Sequence, residues 1–385
     1  MTTSLSTMIR LRAIQNKTRK IFESMSDLHY RLQFHPDLSP AGWHLSHGLF
    51  IENYWLYEVI QNNNQYTADT SLYIPENCPK PERGPRLPPL KETLQQISEQ
   101  QDINDLLLLE KTPPLSEHVL FKDEYIENFI IQHYAQHYET IYMVLQQIAL
   151  KADKGTHQPK EVLTATIPKR DLVRIQQDSY TVGGEKPLSY DNELPPLQVN
   201  LNEFYISAKP VSNSEFLNFM RNNGYTTEDY WSTGGWEWIQ NQKVYHPEHW
   251  RQNEQQEWYG VNCSGAYDLQ ADDAVYGINY YEACAFAKWA NARLPHEHEW
   301  ETAARLEQLS QTAHVWEWCN NTFYPYDNFQ AFPYDEYSTP WFDGKHFVLK
   351  GGSPYTRPEI KRASFRNFYQ PHQRHMFAGL RLVYE

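Results

Sequence analysis

The chain has 385 residues, room for two domains with cores of their own, and a formal net charge of −14 with no Lys/Arg cluster. That balance argues against a nucleic-acid surface and against a binder of anionic membranes. Aromatic residues make up 15% of the chain and charged residues only 21%, a composition suited to loop-rich cores and pocket walls.

The opening MTTSLSTMIRLRAIQ lacks the apolar stretch of a secretory signal, and the sequence contains no apolar run long enough to predict a membrane span. Residues 1–60 carry apolar positions at helical spacing through MIRLRAIQNKTRKIFESM and WHLSHGLFIENYWLYEVI. Residues 61–118 hold the prolines of YIPENCPKPERGPRLPPL and a short helical piece, LKETLQQISEQ. DEYIENFIIQHYAQHYETIYMVLQQIALKA is long, periodic and free of Gly and Pro, which predicts a strong helix. Residues 1–152 thus read as an all-α bundle with one long irregular insertion.

Residues 153–171 are polar and without apolar period, and read as a linker. Residues 172–385 change texture. LVRIQQDSYTVG, LQVNLNEFYIS and HFVLKGGS read as strands, and SNSEFLNFMRNNG and YYEACAFAKWANARLP as helices among Gly-, Asn-, Tyr- and Trp-rich loops. This predicts an α+β domain with much irregular structure. Cys78, Cys263, Cys284 and Cys319 lie far apart, form no C-x-x-C, and read as free thiols in a reducing cytoplasm.

The stretch HYAQHYE stands out within the long helix. Residues four apart lie one above the other, so His133 and His137 can share one metal ion. Glu139 faces elsewhere on the helix, while Gln136 reaches the rim of the same face. A third ligand must come from another helix, and GWHLSHGLF offers His44 and His47, which spacing alone does not separate. Three imidazoles without a carboxylate suit zinc with open positions or a non-haem iron. The motif lacks the Glu of H-E-x-x-H, which removes the metalloprotease reading.

GWHLSH followed by H-x-x-x-H-x-E resembles the DinB-like four-helix domain of the iron-dependent sulfoxide synthases of ergothioneine and ovothiol biosynthesis. The second domain resembles the formylglycine-generating-enzyme (sulfatase-modifying-factor, C-type-lectin-like) fold. Its marks are PVSNSEFLNFMRNNGY, AVYGINYYEACAFAKWANARLPHEHEWETAAR, VWEWC and VLKGGS…FRNFYQPHQRHMFAGLRLV. The resemblance covers nearly the whole chain, in the same domain order.

It implies His47, His133 and His137 as ligands of Fe(II), with His44 beside them, and O2 as oxidant. The reaction implied is oxidative C–S bond formation between a thiol and hercynine, the trimethylated betaine of histidine. Quaternary ammonium groups favour aromatic faces, and Trp316, Trp318 and Phe368 are aromatic candidates whose alternative reading is core packing. By resemblance, Asn367 meets the amino-acid end of this substrate and Gln136 and Tyr337 its ring. Tyr334 matches the active-site tyrosine that donates a proton or hydrogen atom, with Tyr73 as an alternative donor.

Members that use γ-glutamylcysteine carry an Asp and an Arg, four apart, where this chain has Tyr369 and Gln373. The bidentate carboxylate contact is lost there, and Arg374 would need a shifted backbone. Arg83 or Arg86 is then left for a donor carboxylate, and free cysteine or another small thiol is the expected donor. Histidine as acceptor, selenium as donor, and a formylglycine-generating type of oxidase remain alternatives. The last needs reactive cysteines in the C-terminal third, where only Cys319 lies.

Overall fold

In the computed structural model, which describes residues 3–67, 69–112 and 115–385, Ser4 opens the first helix by accepting from the Thr7 backbone N–H at 3.3 Å. That helix, α1 (Leu5–Phe22), buries Thr7, Met8, Leu11, Ile14, Gln15, Thr18 and Phe22, one stripe at helical spacing. After it come α2 (Asp27–Arg31), α3 (Ala41–Asn53), α4 (Thr70–Tyr73), α5 (Lys80–Arg86), α6 (Leu90–Leu109) and α7 (Tyr125–Ala152). A π-helical stretch, Tyr54–Val59, prolongs α3.

Two expectations change here. The helical piece expected at LKETLQQISEQ continues through DINDLLLL to make α6 a 20-residue helix. Its buried Thr93, Ile97, Gln101, Asn104 and Leu108 recur at intervals of three and four, but three of the five are polar, which hid the stripe. The insertion is also less irregular than expected, since α4 and α5 fall within it.

Chain contacts divide the protein into two units. The first comprises Met1–Ile148 with two short returns, Lys186–Leu188 and Thr356–Ile360. The second comprises Ala149–Glu185, Ser189–Tyr355 and Lys361–Glu385, so residues 153–171 group with it.

The second unit mixes small sheets with helices. Its elements are β1 (Leu172–Ile175), β2 (Asp178–Val182), β3 (Leu197–Leu201), β4 (Phe204–Ser207), α8 (Asn213–Arg221), α9 (Thr233–Gln242), β5 (Trp250–Gln252), β6 (Trp258–Asn262) and β7 (Gly265–Tyr267). They continue with α10 (Tyr280–Trp289), α11 (Glu297–Arg305), β8 (Trp316–Thr322), β9 (Phe347–Gly351), β10 (Asn367–Tyr369), β11 (Ala378–Gly379) and β12 (Val383–Tyr384). The sheets run β1-β4-β12, β10-β9-β8-β11, β2-β3 and β5-β6-β7. Capping boxes start α8 at Ser212/Glu215 and α10 at Asn279/Glu282, which is why both helices were readable. Helix α9 was not expected: it opens on Thr-Gly-Gly, and only the Ser232 cap declares it.

Ion pairs run through this unit's core. Glu317 accepts from Arg381 Nε at 2.7 Å and from Trp300 Nε1 at 2.6 Å. Arg366 grips Glu297 through two bonds of 2.7 and 2.8 Å. Lys350 Nζ lies 3.0 Å from Glu301. Beside them pack apolar clusters, one of Ile175, Phe204, Ile206, Ala303 and Val383, another of Trp300, Cys319, Phe323 and Val348.

Candidate metal centre

Helix α7 sets His133 and His137 one turn apart, with ring centroids separated by 4.4 Å. Helix α3 brings His47 to the pair, at 5.1 Å from the His133 ring and 4.8 Å from the His137 ring. One nitrogen from each of the three falls within 4.8 Å of the others, close enough to share an ion. The approach of the two helices depends on Gly48. A Cβ there would lie 2.6 Å from Cε1 of Tyr134, the residue after His133.

Hydrogen bonds orient the rings. His47 Nδ1 lies 2.8 Å from the Tyr73 carbonyl oxygen. A carbonyl only accepts, so Nδ1 carries the proton and Nε2 keeps its lone pair. His44 does not join the three; its Nδ1 lies 2.9 Å from Nδ1 of His137. One imidazole must donate to the other. Donation from His137 frees His137 Nε2 as a ligand and leaves the His44 proton on Nε2, which is buried without a hydrogen-bond partner.

Burial pushes all four imidazoles down, His137 to about 4 and the other three well below the usual histidine value. They are neutral at pH 7, the form in which a histidine ligates a metal. Below them Glu52 accepts from Tyr134 Oη at 2.7 Å, Asn104 Nδ2 at 2.8 Å and Gln15 Nε2 at 3.0 Å. Burial outweighs these three donors and pushes its carboxyl up to about 7.

Glu139 takes no part in the triad; its Oε2 accepts from Thr356 Oγ1 at 2.8 Å. Gln136 sits on α7 between the two ligating positions, partly buried. Trp43 lies parallel to His47, with centroids 4.4 Å apart and planes inclined by 13°. Neither Trp43 nor the Tyr73 carbonyl was anticipated from sequence. Trp43, four residues before His47, carries the helical spacing that could have flagged it; a backbone acceptor carries no such mark.

The expected arginines separate. Arg83 is 4% exposed, and its Nε, Nη1 and Nη2 donate to Cys78 O at 2.9 Å, Ser39 Oγ at 2.5 Å and Pro75 O at 2.8 Å. Committed to protein acceptors, it is not a free carboxylate receptor, which corrects the expectation for it. Arg86 is more open. It donates to Ser71 O at 3.0 Å and Ser71 Oγ at 2.5 Å, at the wall of a cavity of about 290 Å³ that Tyr73 and Ser46 also line.

In the second unit, Tyr337 stacks on Tyr190 at 4.4 Å, and Tyr334 meets Tyr337 edge-on at 6.4 Å. Asn367 opens β10, and its Oδ1 accepts from the Phe368 N–H at 3.0 Å. Phe368 was expected at a substrate. Partly buried, it stacks on Phe323 at 4.1 Å and packs against the Trp300 cluster. Trp316 and Trp318 are likewise core residues, 1% and 0% exposed. Tyr369 meets His375 edge-on at 5.7 Å, and Gln373 Oε1 accepts from the Gln370 N–H at 3.0 Å within a turn.

The thiols of this unit differ in exposure, Cys263 and Cys284 being partly buried. Cys319 is fully buried. Burial raises it well above the ordinary thiol value, Cys263 to about 11 and Cys284 to about 12. A formylglycine-generating type of oxidase needs reactive thiolates, and burial opposes their formation. No described helix is long and apolar enough to cross a membrane.

Residues 158–313 and 312–385 match the sulfatase-modifying factor enzyme 1-like domain. The chain is 30% identical over 316 residues to the hercynine oxygenase of Mycobacterium tuberculosis, covering 68% of this chain and 72% of that one. It is 26% identical over 429 residues to the hercynine oxygenase of Mycolicibacterium thermoresistibile, covering 96% and 93%. Against ergothioneine biosynthesis protein 1 of Schizosaccharomyces pombe the identity is 26% over 231 residues, covering 51% of this chain and 27% of that protein.

Proposed function

The chain belongs to the hercynine oxygenase family, a family of oxidoreductases, and from that premise we propose that it is an Fe(II)- and O2-dependent sulfoxide synthase joining an imidazole carbon of hercynine to the sulfur of cysteine. Residues 1–152 are the DinB-like, iron-carrying domain and residues 172–385 the formylglycine-generating-enzyme-like domain. The observation that carries the reading is the convergence of His47, His133 and His137 from α3 and α7. Three neutral nitrogen donors and no carboxylate suit a divalent ion that keeps open positions, and the Tyr73 carbonyl supplies the outer contact such ligands use.

When bound, Fe(II) supplies the redox chemistry that brings O2 to react with a thiol and an imidazole. The overall reaction needs no outside reductant. The imidazole C–H and the thiol S–H break and the C–S bond forms. One oxygen atom ends on sulfur, and the other leaves as water with the two hydrogens. Gln136 and Tyr337 orient the acceptor ring, Asn367 holds its amino-acid end, and Tyr334 delivers a proton from its phenol. Tyr369 and Gln373 stand where a γ-glutamyl donor would need an Asp–Arg pair, which favours a small thiol, whose carboxylate would take the place of Asp69 at the more exposed Arg86. That no disulfide joins the four cysteines supports a reducing, cytoplasmic setting.

The test is anaerobic loading with Fe(II), addition of air, and mass spectrometry of the products. Hercynine and histidine are offered against cysteine, γ-glutamylcysteine and a selenium donor. Coupled sulfoxide from hercynine and cysteine is expected, and O2 uptake without any coupled product overturns the reading. Tyr334→Phe is expected to spare iron binding and shift product toward the sulfinic acid of the thiol.

A further inference from the structure

Trp43 and His47 stand one turn apart on α3 and therefore share a stripe. The His47 ring lies on one side of the indole. The Arg83 guanidinium carbon lies 4.1 Å from the Trp43 ring centroid, a distance for cation–π attraction. All three side chains are withdrawn from water, at 5%, 2% and 4% exposure for His47, Trp43 and Arg83. Arg83 is a buried cation whose hydrogen-bond partners among the described residues are two backbone carbonyls and one hydroxyl, none of them a carboxylate. Such a charge is costly to bury without a counter-ion, so this arrangement asks for a role.

The hydrogen bonds supply one. Trp43 Nε1 donates to the Leu72 carbonyl at 2.8 Å, and His47 Nδ1 donates to the next carbonyl, Tyr73, at 2.8 Å. Arg83 ties down the continuation of that same strand of chain at Pro75 and Cys78. One guanidinium therefore holds both the indole face and the segment after α4, whose last two carbonyls fix the indole edge and the imidazole edge. The planar fork of arginine suits several fixed acceptors at once, which an ammonium does not.

We propose that Arg83 is a positioning residue for His47, acting through Trp43 and the 72–78 segment to set the plane of the ligating imidazole. This rests on the reading of His47 as a metal ligand. It gives Arg83 a task inside the protein rather than on a substrate.

The experiment uses the full chain and Co(II) as an optical probe, with Fe(II) affinity read by chelator competition under argon. The variants are Arg83→Met, Arg83→Lys, Trp43→Phe and His137→Ala. Arg83→Met is expected to weaken Co(II) and Fe(II) about tenfold or more, in the range seen when an outer contact of a ligand is removed. It is also expected to alter the Co(II) visible band while far-UV circular dichroism stays parental. Arg83→Lys, which keeps charge but loses the fork, is expected to recover only part of the affinity. Trp43→Phe keeps a ring but loses the indole N–H, and a weakened site is expected there too, which carries the test if Arg83→Met fails to fold. Parental affinity and band in Arg83→Met, or in both other variants where Arg83→Met does not fold, overturns the proposal while leaving the ligand reading intact. A parent that takes up no stoichiometric metal, or His137→Ala binding as the parent does, overturns the ligand reading, and the positioning role with it.

Discussion

In the mixed unit, Glu317, Glu297 and Glu301 are fully buried and each meets a buried cation, Arg381, Arg366 and Lys350. Around His47, which is buried, and His133 and His137, which are partly buried, the charge is handled the other way. The imidazoles are held neutral and Glu52 is pushed toward its protonated form, and among the described residues no cation is bonded to any of them. The helical unit can bury an ion pair, since Lys111 Nζ lies 2.7 Å from Glu127, 2% and 0% exposed. The contrast is therefore local to the histidines. A carboxylate with its own arginine is complete; a cluster of neutral nitrogen lone pairs gains most from an ion brought in from outside.

The contrast breaks most sharply at the ligands. His133→Ala or His137→Ala leaves two donors of the three, and complete loss of Fe(II) after desalting is expected, read by a colorimetric chelator, with circular dichroism unchanged. Next comes the completed pair. Arg381→Ala leaves Glu317 buried without its cation, and a destabilisation of about 3–5 kcal/mol is expected in urea unfolding. At low denaturant that variant should still bind iron, because the pair is no part of the metal site. Gly48→Ala sets a methyl against the Tyr134 ring. Overpacking of about 1–3 kcal/mol is expected, together with weaker metal binding as α3 and α7 are forced apart; unchanged affinity would show that the helices need not approach so closely.

The smallest effect is a pH slope. Glu52 titrates at about 7 in the folded chain and at about 4.3 in an unfolded one. Its protonated form stabilises the fold fully below the lower value, and that contribution is lost as pH rises through the upper one. Glu52→Gln removes this loss, so the variant should gain thermal midpoint relative to the parent from pH 5 to pH 8. A constant difference across that range would place the titration elsewhere.

Legibility from sequence followed the same divide. The i, i+4 histidines were readable because α7 is long, periodic and unbroken, so angle on the helix follows from count alone. His47 and His44 were not separable by spacing. What separates them is the carbonyl of Tyr73, a backbone acceptor at the C-terminal end of α4. Helix α6 was read too short because polar Gln101 and Asn104 occupy its buried face. Phe368 and Arg83 were ambiguous for one reason: an aromatic or a guanidinium looks the same in sequence whether it faces a ligand or the interior. The three protein acceptors of Arg83 turn it inward, and Phe368 has one face on Phe323.

The raised thiols of the second unit carry a last consequence. A protein that handles oxygen beside a reactive sulfur donor risks oxidising itself and forming mixed disulfides with that donor. Raising Cys263, Cys284 and Cys319 far above neutral pH keeps them protonated and poor nucleophiles. These thiols are thus poor nucleophiles at neutral pH, and slow alkylation at pH 7.5 is expected, read by mass spectrometry.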